Sequence, residues 1–340
     1  MELEIHEHTF DTGVVTINYA QGSPSGPPLV ILHGGSASWQ CYREVLTDLA
    51  ARFSLYAPDF RGHGGSGRVP GRYRFQDYAD DTIAFLRRCV AEPVFLFGHS
   101  LGGMIALMVT AQAPDVVRAL VVGDSPLTRP RLGRNRRKNE AWRDLAGGKL
   151  SIAEIAEALK DAPTFVPGRD EPVTMREKHG EDASVFHHLA TRLYHTDPDT
   201  LTALIDDLEN TTAGCEMEAV LPGIRCPVLL LQADPDSGGL MKDADVVRAL
   251  PLLARGRRVR LEGIGHALFH PRKGPAVCAI TDFADSVAVL QATGDRRGED
   301  ILCGAIGAFE TAFPDRVRGY YMTGSYHDGD AVPEKERKVM

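Results

Sequence analysis

Six short apolar runs, each closed by turn residues, recur along the chain: LVIL (29–32), SLYAP (54–58), VFLFG (94–98), ALVVGD (119–124), VLLLQ (228–232) and VRLEG (259–263). Nearly continuous apolarity over so few residues suits strands buried on both faces of a parallel sheet. Helix-like segments fill the intervals at 39–51, 76–90, 101–113, 241–250 and 275–290. That alternation predicts an α/β fold with right-handed crossovers. Residues 3–10 and 14–20, on either side of Thr12-Gly13, read as an opening hairpin. Between Asp124 and Cys226 the alternation stops. SIAEIAEALK (151–160), DASVFHHLATRLY (182–194) and DTLTALIDDLEN (199–210) carry helical patterns there, and no strand is evident. An all-helical insertion between two strands would cap one edge of the sheet.

Composition narrows the function classes. The 340 residues are 43% hydrophobic and 25% charged, enough for a sizeable core. A formal net charge of −8 argues against a sequence-independent nucleic-acid binder or a basic membrane-surface protein. The longest apolar run, LGGMIALMV (101–109), falls far short of the roughly 18 residues a membrane span needs. MELEIHEHTF at the start has neither the basic nor the apolar region of a signal peptide, so a cytoplasmic location is expected. Cys41, Cys89, Cys215, Cys226, Cys278 and Cys303 are scattered without a CxxC pair, which reads as free thiols and no metal site. A basic run from Arg129 to Lys138 could suit an anionic partner; it reads as a solvated surface turn.

Gly98-His99-Ser100-Leu101-Gly102 carries the chemistry. A buried strand precedes it and an apolar helix follows, the context a nucleophile elbow requires. The turn is so sharp that small residues must flank the serine, and it sets Oγ at a helix N-terminus, where negative charge is favoured. Serine needs a base, and the base needs an orienting acid. Gly263-Ile264-Gly265-His266 follows the last strand and would present His266 at the sheet edge that carries Ser100. His270 is the competitor, set against Pro271 where a helix is expected to start. Asp234, Asp236 and Asp124 are candidate acids. The order Ser100, Asp236, His266 reproduces the one expected for this motif and Asp236 is the expected acid, while Asp234 could serve its own loop as an Asx turn. Oxyanion donors are expected from the N–H groups of Leu101 and Gly35, with His33 as a structural hydrogen-bonding residue.

HGG (33–35), DFRGHGGSG (59–67), GHSLG (98–102), ADPD (233–236) and GIGH (263–266) occur in order and suitably spaced, and together resemble the α/β-hydrolase superfamily over about residues 1–290. The resemblance implies the α/β-hydrolase fold: a mostly parallel eight-stranded sheet with a helical cap between strands six and seven. The core would be 1–125 and 226–290 and the cap 126–225. The resemblance also implies hydrolysis through an acyl-enzyme. Its acid commonly sits three residues beyond a glycine ending strand seven; Ala233 replaces that glycine, and counting from it gives Asp236. Members with an aspartate nucleophile are discounted, because position 100 is serine.

The expectation is therefore a cofactor-independent serine hydrolase of a small carboxylic ester or related acyl substrate, without metal, nucleic-acid or membrane partner. A carbon–carbon bond hydrolase of a diketone-like substrate, and a non-catalytic ligand receptor, are the alternatives on the same scaffold. Phe165, Phe186, Leu189, Leu193 and Tyr194 could wall the pocket or pack the cap onto itself. Gly62-His63-Gly64-Gly65-Ser66-Gly67 satisfies GxGxxG, but no helix begins before about Gln76 to hold a pyrophosphate; it reads as a flexible loop. Residues 291–340 fall outside the hydrolase pattern. YYMTGSYHDGDAVP there resembles the start of a nucleotidyltransferase, but the metal-binding Asp-x-Asp pair is absent and too little chain follows. The segment reads as an accessory extension.

Overall fold

A computed structural model describes residues 4–128, 136–167, 169, 171–270 and 272–293. Eight strands form one sheet in the order β1-β2-β4-β3-β5-β6-β9-β10. These are β1 (Ile5–Asp11), β2 (Thr16–Gly22), β3 (Pro28–Leu32), β4 (Ser54–Pro58), β5 (Val94–His99), β6 (Val117–Gly123), β9 (Val228–Ala233) and β10 (Gly256–Leu261). The opening hairpin is antiparallel, as is β2 on β4; every later pairing is parallel. The fold is the α/β-hydrolase fold.

Apolarity on both faces of the central strands produces two cores. On one face, Val30, Leu96, Leu120 and Leu230 pack under α2 (Phe75–Phe85) and α3 (Leu101–Gln112), with Phe85, Ile105 and Val109 fully buried. On the other, Ile31, Phe97, Val121 and Leu231 meet α1 (Arg43–Leu49) and α9 (Gly274–Thr293) through Leu46, Leu49 and Phe283. Alternate residues of each strand thus face opposite cores, as a period of two requires.

Between β6 and β9 lies the cap: α4 (Arg136–Leu145), α5 (Ile152–Leu159), α6 (Ala183–Tyr194) and α7 (Pro198–Asp206), with shorter helical turns. Phe186 and Leu193 are buried in a separate cap core with Trp142, Ile155 and Ile205, and Leu189 and Tyr194 pack against it. Those four side chains hold the cap together. Two further readings change. Residues 163–164 and 173–174 pair as a two-residue ribbon, β7 and β8, where no strand was expected. Arg136, Arg137 and Lys138 open helix α4, so the C-terminal part of the basic run is helical and not a turn.

The GxGxxG segment opens no helix, and it is also not loose. Asp59 accepts from the Trp39 amide at 2.7 Å, the Gly65 amide at 2.9 Å and Asn18 Nδ2 at 3.1 Å, while Ser66 Oγ donates to the Asp59 carbonyl at 2.7 Å. Arg61 lies buried in a bidentate pair with Asp81 at 2.6 and 2.8 Å. The nucleotidyltransferase-like segment lies outside the described residues, as does Cys303; the other five cysteines are free. Among the described residues no helix is long and apolar enough to cross a membrane.

Candidate active site

Ser100 links β5 to α3 with φ 55° and ψ −117°, a conformation that costs a non-glycine residue on the order of 1–3 kcal/mol. The turn holds because its neighbours leave no room for side chains. A Cβ on Gly98 would lie 2.2 Å from the Gly102 carbonyl oxygen, and one on Gly102 would lie 2.3 Å from that of Leu32. The first turn of α3 leaves the Leu101 N–H without an intrahelical acceptor. Gly34 closes on the serine, with a would-be Cβ 3.3 Å from Ser100 Cβ.

His33 organises the loop after β3. Its Nε2 accepts from the Phe60 amide at 2.9 Å and its Nδ1–H donates to the Gly34 carbonyl at 2.7 Å. Because that peptide is trans, fixing the Gly34 carbonyl turns the Gly35 N–H to the opposite side, away from His33. Burial holds the His33 imidazole well below its ordinary range, so the ring is neutral, as both hydrogen bonds require. The cap secures the same loop from outside: Arg192 on α6 donates from Nε to the Ser36 carbonyl at 2.7 Å and from Nη2 to the Gly35 carbonyl at 3.1 Å.

His266 Nδ1 lies 2.6 Å from Oδ2 of Asp124, and this overturns the assignment of the acid to Asp236. Asp124 follows β6 directly, at φ 38°, and is fully buried. Its carboxylate also accepts from the amides of Ala233 at 3.2 Å, Leu240 at 2.9 Å and Met241 at 3.1 Å. Burial alone would favour the neutral acid. The His266 bond and the converging amides outweigh it and hold the carboxyl below its ordinary value. Asp236 is instead exposed, on a single turn beyond β9. Asp234 makes the Asx turn there, accepting from the Asp236 amide at 3.0 Å; it also receives the Gly263 amide at 3.0 Å and Arg260 at 3.0 Å, which fastens the loop that carries His266.

His99 and Tyr42 complete the setting, and neither stood out in the sequence. His99 Nε2–H donates to the His266 carbonyl at 2.8 Å and Nδ1 accepts from the Tyr42 hydroxyl at 3.0 Å. The His99 and His266 rings lie 4.7 Å apart. Burial, and then the nearby His266, push the His99 imidazole down to about 3, so it stays neutral. A cleft beside the Gly35–Ser36 loop is lined by Leu101, His63, Tyr73, Phe75, Thr200 and Leu204, among others. No group of three or more His, Cys, Asp or Glu that could hold a metal ion gathers among the described residues.

Comparison with known proteins agrees with this architecture. The chain is similar to a 2-(acetamidomethylene)succinate hydrolase of Mesorhizobium japonicum, 34% identical over 34% of this chain and 41% of that protein. It is similar over more of its length to the magnesium-chelatase 30 kDa subunit of Rhodobacter capsulatus, 37% identical over 68% of this chain and 78% of the relative. Among solved structures, E-2-(acetamidomethylene)succinate hydrolase superposes with a TM-score of 0.63 over 83% of this chain and 100% of the other, at 22% identity. A thermophilic esterase from Thermogutta terrifontis superposes with a TM-score of 0.61, at 19% identity, over 84% of this chain and 99% of the other. A model of the alpha/beta hydrolase family matches residues 29–280, from β3 into α9, and the chain belongs to that family.

Proposed function

We propose that the chain is a serine hydrolase that cleaves a small carboxylic ester or related acyl substrate through an acyl-enzyme. The bond between His266 and a buried, ionised Asp124, together with a serine held in the elbow conformation, carries the reading. His266 Nε2 takes the Ser100 proton as Oγ attacks the acyl carbon, and Asp124 fixes the tautomer and stabilises the imidazolium that forms. The Leu101 and Gly35 N–H groups receive the oxyanion. The imidazolium returns its proton to the leaving group, and water activated by His266 releases the acid.

Asp124, already ionised in the folded chain, needs no proton movement to play this part. Ser100→Ala should lower turnover of para-nitrophenyl butyrate by about 10⁴-fold or more, with a fluorophosphonate labelling the wild type once per chain and the variant not at all. Turnover retained in Ser100→Ala would sink the assignment.

A further inference from the structure

We propose that Arg192, on cap helix α6, is a positioning residue for the oxyanion hole: its guanidinium fixes the Gly35–Ser36 backbone, so that the hole is complete only while the cap is seated. The proposal rests on the serine-hydrolase reading, in which the Gly35 N–H receives the oxyanion.

Glycine at position 35 gives the loop after β3 a pivot. Gly34 is wedged against the elbow, where a Cβ would lie 3.3 Å from Ser100 Cβ and 3.5 Å from His99 Nδ1. Gly35 is exposed, and a Cβ there would meet no atom outside its chain neighbours closer than Leu101 Cδ2, at 4.0 Å. Packing therefore does not hold Gly35, and the wide conformational range of glycine leaves the direction of its N–H to hydrogen bonds. Those bonds bracket it. His33 fixes the peptide on its N-terminal side through the Gly34 carbonyl, at 2.7 Å, and Arg192 Nη2 fixes the peptide on its C-terminal side through the Gly35 carbonyl, at 3.1 Å. Arg192 Nε takes the next carbonyl, that of Ser36, at 2.7 Å. Ser36 is buried at φ 48°, a left-handed conformation that a serine keeps only where its surroundings impose it. The Gly35 N–H takes no acceptor among the described residues and is left for a ligand.

The shape of the guanidinium suits this task. Nε–H and one Nη2–H leave the group side by side in its plane and meet two successive carbonyls together, whereas an ammonium is a point charge without that fork. Both protons come from the cap. Ala190 and Leu193, on either side of Arg192 in α6, are buried in the cap core and not in the sheet cores. Withdrawal of α6 removes both donors at once and leaves Gly35 with the His33 pin alone. Gly35, Ser36 and Leu101 all line the cleft, so the loop that Arg192 holds is one that faces the substrate.

Arg192→Ala should lower kcat on para-nitrophenyl butyrate about 10- to 100-fold while KM stays within about 3-fold, the mark of a group that acts through the transition state. Guanidinium chloride, at concentrations too low to unfold the chain, should raise kcat of that variant by about 3-fold or more and leave wild type unchanged. Arg192→Lys, which keeps the charge but not the fork, should recover only part of the loss; full recovery would assign the effect to charge and overturn the positioning role. A kcat within about 2-fold of wild type in Arg192→Ala, or a loss confined to KM, overturns the role and leaves the hydrolase intact. So does a loss that comes with a lower denaturant midpoint and does not respond to guanidinium, since Arg192 would then only hold the fold. Proton–nitrogen correlation spectra read the tether without turnover: the Gly35 and Ser36 amide signals should shift or broaden in Arg192→Ala and return with guanidinium, and unmoved signals overturn the tether. A wild type that neither cleaves the ester nor takes the fluorophosphonate overturns the hydrolase, and the oxyanion role with it, even where those spectra respond.

Discussion

At the scale of single residues, the structure sets Asp124 against His266 where the sequence reading expected Asp236. Ser100 and His266 are legible because glycines mark their turns and buried strands precede them. Asp124, Asp234 and Asp236 all follow strands at the same edge and all fit the chain order, and the count from Ala233 favoured Asp236. What separates them is tertiary: three amides from β9 and the segment beyond it converge on Asp124, while Asp236 stands in solvent. Asp124→Asn should lower kcat on a neutral nitrophenyl ester by about 10⁴-fold, because an amide there holds the wrong His266 tautomer. Asp236→Asn should stay within about 2-fold of wild type, as an exposed substitution outside the site. Reversal of that order in side-by-side kinetics would restore Asp236.

At the scale of elements, the buried strands were read within a residue or two, since period and turn residues fix them locally. Exceptions have physical causes. The last strand runs over Gly256–Leu261, earlier than its apolar residues suggest, because Arg258 is buried within it, bonded to Gln232 Oε1 at 2.7 Å and to Asp243. Helix α4 was hidden because only Asn139 and Trp142 of its ten residues are buried, too sparse a stripe to show through the charges. The elbow is the element with least slack. A Cβ at Gly102 would meet two backbone oxygens at the end of β3, at 2.3 and 2.7 Å, and neither can move without shifting the sheet. Gly102→Ala should therefore cost about 1–3 kcal/mol or more in denaturant unfolding and lower activity with it. An unchanged midpoint would show that α3 can slide on the strand.

At the scale of the molecule, the two-faced sheet and the separate cap core followed from alternation and its interruption; the grip of the cap on the core did not. Tyr73 donating to Asp197 at 2.6 Å, and Arg192 reaching the Gly35–Ser36 loop, join residues more than a hundred positions apart, beyond any local signal. The pH dependence of stability is likewise collective. Burial keeps the imidazoles of His33, His63 (down to about 4) and His99 (down to about 3) neutral in the folded chain. As pH falls below about 6.5, the unfolded chain protonates these three and the folded chain does not, so stability is lost towards those lower values. Asp59, pushed up to about 6 chiefly by burial, acts in the opposite sense between its ordinary 3.8 and that value. The buried imidazoles outweigh Asp59, so stability should fall from pH 7 to pH 5, measurable as a lower denaturant midpoint at pH 5; a level or rising midpoint would contradict the balance. The position of Asp124 has a further consequence. His99 and Gly123 are register partners on adjacent strands, so the ladder itself fixes the spacing of Ser100 and Asp124. The Pro235–Ser237 turn thus supplies no partner to the His266 ring but still buttresses the loop that carries it: a Cβ on Gly265 would lie 2.5 Å from the Ser237 carbonyl oxygen.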